Sequence, residues 1–268
     1  MTASPTAGPP GIVISRGETF SQRLNRLSGV AILLLIWELA ARLGLVSKWL
    51  VVPPSQLPAE MLHLIQTGEL QLHLGATLQR VVLAFSLGGS VGMLVGLAAG
   101  RFSFLRSPTA PLLGALTATP KLALFPLAIA LFGLGETSRN APAVLATFTL
   151  MAFHCMDAVR FVQPGYVELA RGYGATGFAL FRYAYLPPCL PQIFTGLRLS
   201  LTMSLIMVVA AEMIGASSGL GILIWVAGQS LAMPRLYAGL VLCAGMGFTL
   251  TSVLYWMERK FIPWASGR

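Results

Sequence analysis

The stretch Glu168–Leu201, ELARGYGATGFALFRYAYLPPCLPQIFTGLRLSL, begins as a charged segment between long apolar runs and ends by leading into one of them. Its first part, residues 166–185, is rich in helix formers and carries Glu168, Arg171 and Arg182. Gly172, Gly174 and Gly177 interrupt that pattern, and each glycine in a helix interior costs roughly 1 kcal/mol relative to alanine. The composition predicts two short helices meeting at a sharp, closely packed corner near Gly174. Pro187, Pro188 and Pro191 follow. Proline lacks the N–H that a helix interior needs, so these residues predict a stiff link into the next apolar segment. Read from the residues alone, the stretch fits two descriptions: an ordinary loop, or a braced hairpin shaped to receive a push from a partner protein.

Around it the chain is strongly apolar. Hydrophobic residues make up 56% of the 268 residues, charged residues 10%, and the mean hydropathy is +0.76, against roughly 25% charged residues in soluble domains. This is the composition of an all-α polytopic membrane protein, one domain in which the spans consume most of the chain. A net charge of +9 could serve nucleic acid, but basic loops on one side of a membrane give the same number. No basic run is interleaved with aromatics, so nucleic acid is excluded as a partner. Cys155, Cys189 and Cys243 are scattered singles, without metal or disulfide spacing, and read as packing residues.

In chain order, a tail over residues 1–26, rich in Pro, Gly, Ser and Thr at its start, is expected to be disordered. Leu27–Val46 is an apolar run of about 20 residues, long enough to span and too long for a signal peptide core. Residues 47–71 predict a proline-marked turn and a short amphipathic helix. Leu72–Gly100 is a second span with Gly88, Gly89, Gly92 and Gly96 spaced so that another helix backbone can come close. Pro108–Leu134 is a third, broken at Pro111, Pro120 and Pro126. Such breaks survive in a membrane only where protein or a watery cavity satisfies the freed carbonyls. Ala141–Met156 is a short fourth span, 193–216 a fifth and Leu236–Met257 a sixth. Gly219–Met233, at about 15 residues, suits a re-entrant or interfacial helix better than a crossing. No internal repeat is visible.

The basic residues orient this layout. Eleven of the 18 lysines and arginines fall in one set of loops and tails: Arg16, Arg23, Arg26, Arg101, Arg106, Arg160, Arg171, Arg182, Arg259, Lys260 and Arg268. Lys48, Arg139 and Arg235 fall in the other. The positive-inside rule then puts both termini and the hairpin in the cytoplasm. Arg42, Arg80, Lys121 and Arg198 lie within spans; the three arginines are expected to snorkel. A charge at the bilayer centre costs about 2.5–3.5 kcal/mol on insertion scales, so Glu38, Lys121 and Glu212 need a reason to be kept. Pairing is the simplest reason for the two glutamates. Lys121, beside the break at Pro120 and near Pro126, fits either a pairing role or the wall of an anion pathway that Glu212 would share.

The chain has three lysines, none placed as a phosphate-binding loop requires. Its three histidines are isolated, and no catalytic or metal constellation appears. The chain therefore reads as a transporter rather than an enzyme, and energy for active transport would come from another subunit.

The hairpin resembles the EAA loop of bacterial ABC importer permeases: Glu-Ala-Ala, three residues, Gly, nine residues, Ile-x-Leu-Pro. Glu168, Ala170, Gly174, Leu186 and Pro187 fall on that pattern, with Leu169 and Ala184 as apolar exchanges. Similarity extends over roughly residues 28–264. PLLGALTATPKLALFPLAIALFGLGETSR and VVAAEMIGASSGLGILIW resemble segments of the nitrate/sulfonate/taurine/bicarbonate branch, whereas MAFHCMDAVRF departs from it. The resemblance implies about six transmembrane helices in the type I importer (MetI-like) fold, over residues 27–268, in the bacterial inner membrane. It implies pairing with a second permease copy. Two cytoplasmic ATPases, holding the ATP and Mg, would dock on the hairpin residues Glu168, Ala170, Arg171, Gly174, Leu186 and Pro187. A soluble binding protein would deliver a small anionic solute, or alternatively an aromatic or heterocyclic nutrient precursor. An ion-coupled secondary transporter is the rival, and it leaves the hairpin unexplained.

Overall fold

The computed structural model describes residues 20–43 and 50–265, and every regular element among them is helical. The tail up to residue 19, the end of the first apolar run, Lys48 and Arg268 lie outside the described residues. In order the helices are α1 (Phe20–Arg42), α2 (Leu57–Gln66), α3 (Glu69–Arg101), α4 (Ser103–Ala118), α5 (Phe125–Phe132), α6 (Glu136–Arg160), α7 (Pro164–Gly172), α8 (Gly177–Leu180), α9 (Leu186–Gly215), α10 (Leu220–Gln229) and α11 (Met233–Phe261). Helix α1 begins at Phe20, so its first turns fall inside the stretch expected to be a tail.

Among the described residues, four segments are long and apolar enough to cross a membrane: α3, α6, the run from α8 through α9, and α11. A fifth is the bent pair formed by α4 with Lys121–Phe132, which turns by 91°. The break falls where Pro120 was expected to put it. Pro108 and Pro111, however, lie inside the continuous helix α4, and Pro126 sits in the first turn of α5. A first-turn proline removes only an N–H that has no partner there anyway. The short apolar segment after α9 forms α10, of 10 residues.

The bundle is built on α3 and α6, the most extensively packed helix pair. The glycines of α3 make that possible. A Cβ at Gly92 would lie 2.6 Å from the Phe148 carbonyl oxygen, and one at Gly88 or Gly96 would strike the backbone of Val144 or Ala152. In lipid, where apolar burial supplies no drive between helices, this close backbone approach is what holds the pair. Helix α9 packs against both, with Val81, Ala84, Ala143, Leu201 and Val208 buried between them. A second core of Leu64, Leu220, Leu223, Ala238 and Met246 joins α2 and α10 to α11.

The stripe has a measurable consequence. Gly92→Leu should destabilise the detergent-solubilised protein by at least the roughly 1–3 kcal/mol typical of overpacking. Gly75→Ala, two turns from the helix start with open space around it, should stabilise it by about 0.5–1 kcal/mol. Thermal inactivation of the two variants checks both signs.

Candidate functional site

The hairpin between α6 and α9 is a self-contained fold with its own small core. Val167, Leu180 and Ala184 are buried in it, with Ala170, Ala175 and Tyr185 packed against them. Helix α7 starts with Pro164 in its first turn and ends at Gly172, and the chain turns at Gly174. The Gly174 N–H donates to the Arg171 carbonyl at 2.9 Å, and the Ala175 N–H to the Ala170 carbonyl at 3.0 Å. These two bonds form a Schellman motif, whose turning residue must adopt a left-handed backbone. Gly174 does so, at φ +80°.

The chain turns at Gly174, but the corner is not closely packed as expected: a Cβ at Gly174 would meet nothing within 4 Å. Glycine is required there for its backbone, not for its size. The motif's alanine and aliphatic positions gain a direct explanation. Ala170 supplies the carbonyl that closes the motif and packs against the hairpin core, which Ala184 fills. Leu186 packs on the neighbouring core of Met151, Cys155, Cys189 and Ile193. Both of these cysteines are free and buried.

The prolines behave differently from expectation. One π-turn, Phe181–Tyr185, carries α8 directly into α9, and Pro187 and Pro188 occupy the first turn of a 30-residue helix. Pro191 is accommodated inside that helix. The result is one helical run of 39 residues, Gly177–Gly215, rather than a separate link and span. The Arg101 guanidinium, at the near end of α3, stacks over Tyr185 of the π-turn at 5.1 Å. The hairpin's surface carries large apolar side chains: Leu169, Tyr173, Phe178 and Tyr183 are all exposed, Tyr173 to 86%. Glu168, Arg171 and Arg182 are exposed beside them.

At the far end of α9, about 39 Å from Leu186 by helical rise, lies a buried charge cluster. Arg80 on α3 is 6% exposed and Glu212 on α9 is 0% exposed. The Arg80 Nη1 donates to Glu212 Oε1 at 2.7 Å and to the Ser218 carbonyl at 2.6 Å. Its Nε and Nη2 grip both carboxylate oxygens of Glu136, at 2.7 and 2.9 Å. Arg139 donates to Glu136 and to the Gly215 carbonyl. Glu212 also accepts from Thr77 Oγ1 and from the Gly221 N–H, each at 2.9 Å. The close approach of the loop requires glycine: Gly219 has φ +127°, and a Cβ there would strike the Glu212 carboxylate.

Arg80 was expected to snorkel. It is instead the hub that ties α3, α6, α9 and the loop into α10. Glu38 and Arg198 are likewise paired, Glu38 with Arg42 and Ser55, and Arg198 with Glu258. Arg139, expected in a loop, lies in the first turn of α6.

Lys121 is half-buried at the 91° break, where its Nζ donates to the Thr117 carbonyl at 2.9 Å and so caps the end of α4. Among the described residues it has no carboxylate partner. Pro120 and Pro126 flank it, and both are exposed. The structure thus keeps Lys121 and Glu212 apart in their bonding, and Glu212 is neutralised by Arg80. No group of three His, Cys, Asp or Glu among the described residues could hold a metal ion.

Comparison with known proteins agrees with this architecture. The family described as binding-protein-dependent transport system inner membrane component matches residues 88–266. The chain is 33% identical over 240 residues to the taurine transport system permease protein TauC of Escherichia coli (strain K12), covering 88% of this chain and 87% of that one. It is 32% identical over 234 residues to a putative aliphatic sulfonates transport permease protein, SsuC, of Bacillus subtilis (strain 168), covering 87% and 85%. Among solved structures, an inward-facing form of the MetNI methionine ABC transporter superposes with a TM-score of 0.61 at 18% identity, over 71% of this chain and 93% of that chain. The chain belongs to the binding-protein-dependent inner-membrane permease family and has the MetI-like fold of ABC importers. It is a multi-pass inner-membrane permease subunit.

Proposed function

We propose that this permease carries a small organic anion of the sulfonate class, delivered by a soluble binding protein, and that it works as a pair of copies driven by two ATPases. The observation that carries the reading is the self-contained hairpin with its exposed aromatic face, continuous through α9 with the charge cluster at the opposite end. Phe178 lies on the same helical run as Glu212, so a push on the hairpin is carried into α9. The sulfonate class rests on the relatives, whose names specify taurine and aliphatic sulfonates. ATP and Mg belong on the ATPase subunits, and both termini and the hairpin face the cytoplasm. Glu168, Ala170, Arg171, Gly174, Leu186 and Pro187 form or present the ATPase contact.

The pathway runs along the broken third span and α9. Pro120 sets the bend and Pro126 opens the helix after it, Lys121 draws the anion past the bend, and Glu212 holds the far end of α9 through Arg80. ATP-driven uptake in proteoliposomes containing permease, ATPase and binding protein tests the substrate class. Alkanesulfonate should compete with the transported solute, whereas nitrate and bicarbonate should not. In the same assay Lys121→Gln should slow uptake severalfold with assembly and basal ATP hydrolysis retained. Unchanged uptake would make Lys121 only a helix cap.

A further inference from the structure

We propose that Arg80 is the contact for the solute's anionic headgroup at the outer end of the permease, and that Glu136 holds this position as an internal substitute. The inference rests on the anionic-solute reading above. Arg80 and Glu136, bonded to each other, both line a cavity of about 280 Å³ that also touches Gln79, Asn140 and Ser218. The two carboxylate bonds that Arg80 makes are unlike each other. Glu212 is fixed: its side chain is 1% exposed and is held by Thr77 and the Gly221 N–H as well. The Glu136 side chain is 57% exposed and is gripped in the two-pronged manner that a planar guanidinium offers to any oxyanion. A sulfonate presents oxygens at similar spacing. It can exchange for Glu136, whose carboxylate then turns to water while keeping Arg139 as its partner.

Two further features give the cavity the character of a ligand site. Asn140 is 5% exposed, yet its Oδ1 has no hydrogen-bond donor, and an acceptor stripped of water without a partner is costly. An occupant bearing an N–H, an O–H or a water of hydration would satisfy it. The cavity also shares Leu83, Glu136 and Asn140 with an apolar groove of about 610 Å³ that continues past Leu87, Val144 and Phe148. A polar pocket opening into an apolar groove fits a solute with an anionic head and a short hydrocarbon body. A bare inorganic anion would leave the groove unused.

Cysteine protection tests this without requiring turnover. In a background lacking Cys155, Cys189 and Cys243, the cavity residue Gln79, exposed in the structure, is replaced by cysteine and labelled with an impermeant maleimide. Butanesulfonate should slow labelling at least threefold, while an uncharged sulfone of similar size should not. Protection should need less butanesulfonate in Glu136→Gln and should disappear in Arg80→Lys, which keeps the charge but loses the fork. Equal effects of sulfonate and sulfone, or protection that survives Arg80→Lys in a complex that still assembles, would overturn the assignment. Reconstituted uptake separates the two readings. Sulfonate uptake without protection at position 79 rejects this site alone, and absence of sulfonate uptake rejects the substrate class.

Discussion

Gly174→Val should abolish coupled transport while leaving the permease inserted and able to bind its partner copy, whereas Gly174→Asn should retain most of it. The contrast follows from the Schellman turn. Valine would be forced to the left-handed backbone at φ +80°, which costs an L-residue roughly 1–2 kcal/mol and makes a β-branched one a true outlier. Asparagine tolerates that region and finds open space for its side chain. The penalty falls on one corner whose hydrogen bonds to Arg171 and Ala170 fix the angle between α7 and α8. A loss of about 1–2 kcal/mol changes the population of the ordered hairpin by a factor of roughly 5–30. ATP-driven uptake together with binding of the purified ATPase reads this out. Equal loss in both variants would mean that the partner packs against Gly174 and that size, rather than backbone angle, is what matters.

The second large effect is on stability. Arg80→Met should destabilise the solubilised permease by about 3–5 kcal/mol, because it leaves Glu212 buried and charged without its partner. Adding Glu212→Leu to the same chain should recover most of that loss, since replacing both members of a buried pair by apolar residues is often neutral. The remaining cost lies in the loop at Gly219, whose neighbour Gly221 loses the acceptor for its N–H. Recovery in the double variant separates a buried pair from a residue needed for packing alone. Thermal inactivation of the two variants in one detergent is the measurement. No recovery would show that the Arg80 bonds to Glu136 and Ser218 dominate.

How far these features could be read from the sequence depends on how local their causes are. The turn of the hairpin was legible because its hydrogen bonds join residues three to five apart, so the spacing of Ala170 and Gly174 records it directly. The α3 stripe was legible for the same reason: glycines every fourth residue fall on one helix face. A break in the third span was legible too, but it was expected at Pro111, Pro120 and Pro126, and only Pro120 marks it: Pro111 lies inside α4 and Pro126 opens α5. The charge cluster was not, because Arg80 meets Glu136 and Glu212 across 56 and 132 residues. Nothing near Arg80 in the chain distinguishes a hub from a snorkelling arginine. The continuity of α9 was hidden too. Three prolines read as a stiff link, yet Pro187 and Pro188 directly follow a π-turn and Pro191 is carried inside α9, so the helical run continues through all three. At Gly174 the sequence carried the position but not the reason, since both crowding and a left-handed backbone demand glycine.

The central claim is that force applied to the hairpin from outside this chain drives solute across the membrane. Proteoliposomes containing the permease, its ATPase and the binding protein test it most directly, with labelled alkanesulfonate and binding protein together on one side and ATP on the other. The account predicts uptake that requires all three proteins and ATP, and that stops when Tyr173→Cys in the hairpin is modified with a bulky maleimide in the background lacking native cysteines. Uptake by the permease alone, driven by an ion gradient and indifferent to the label at position 173, would contradict it.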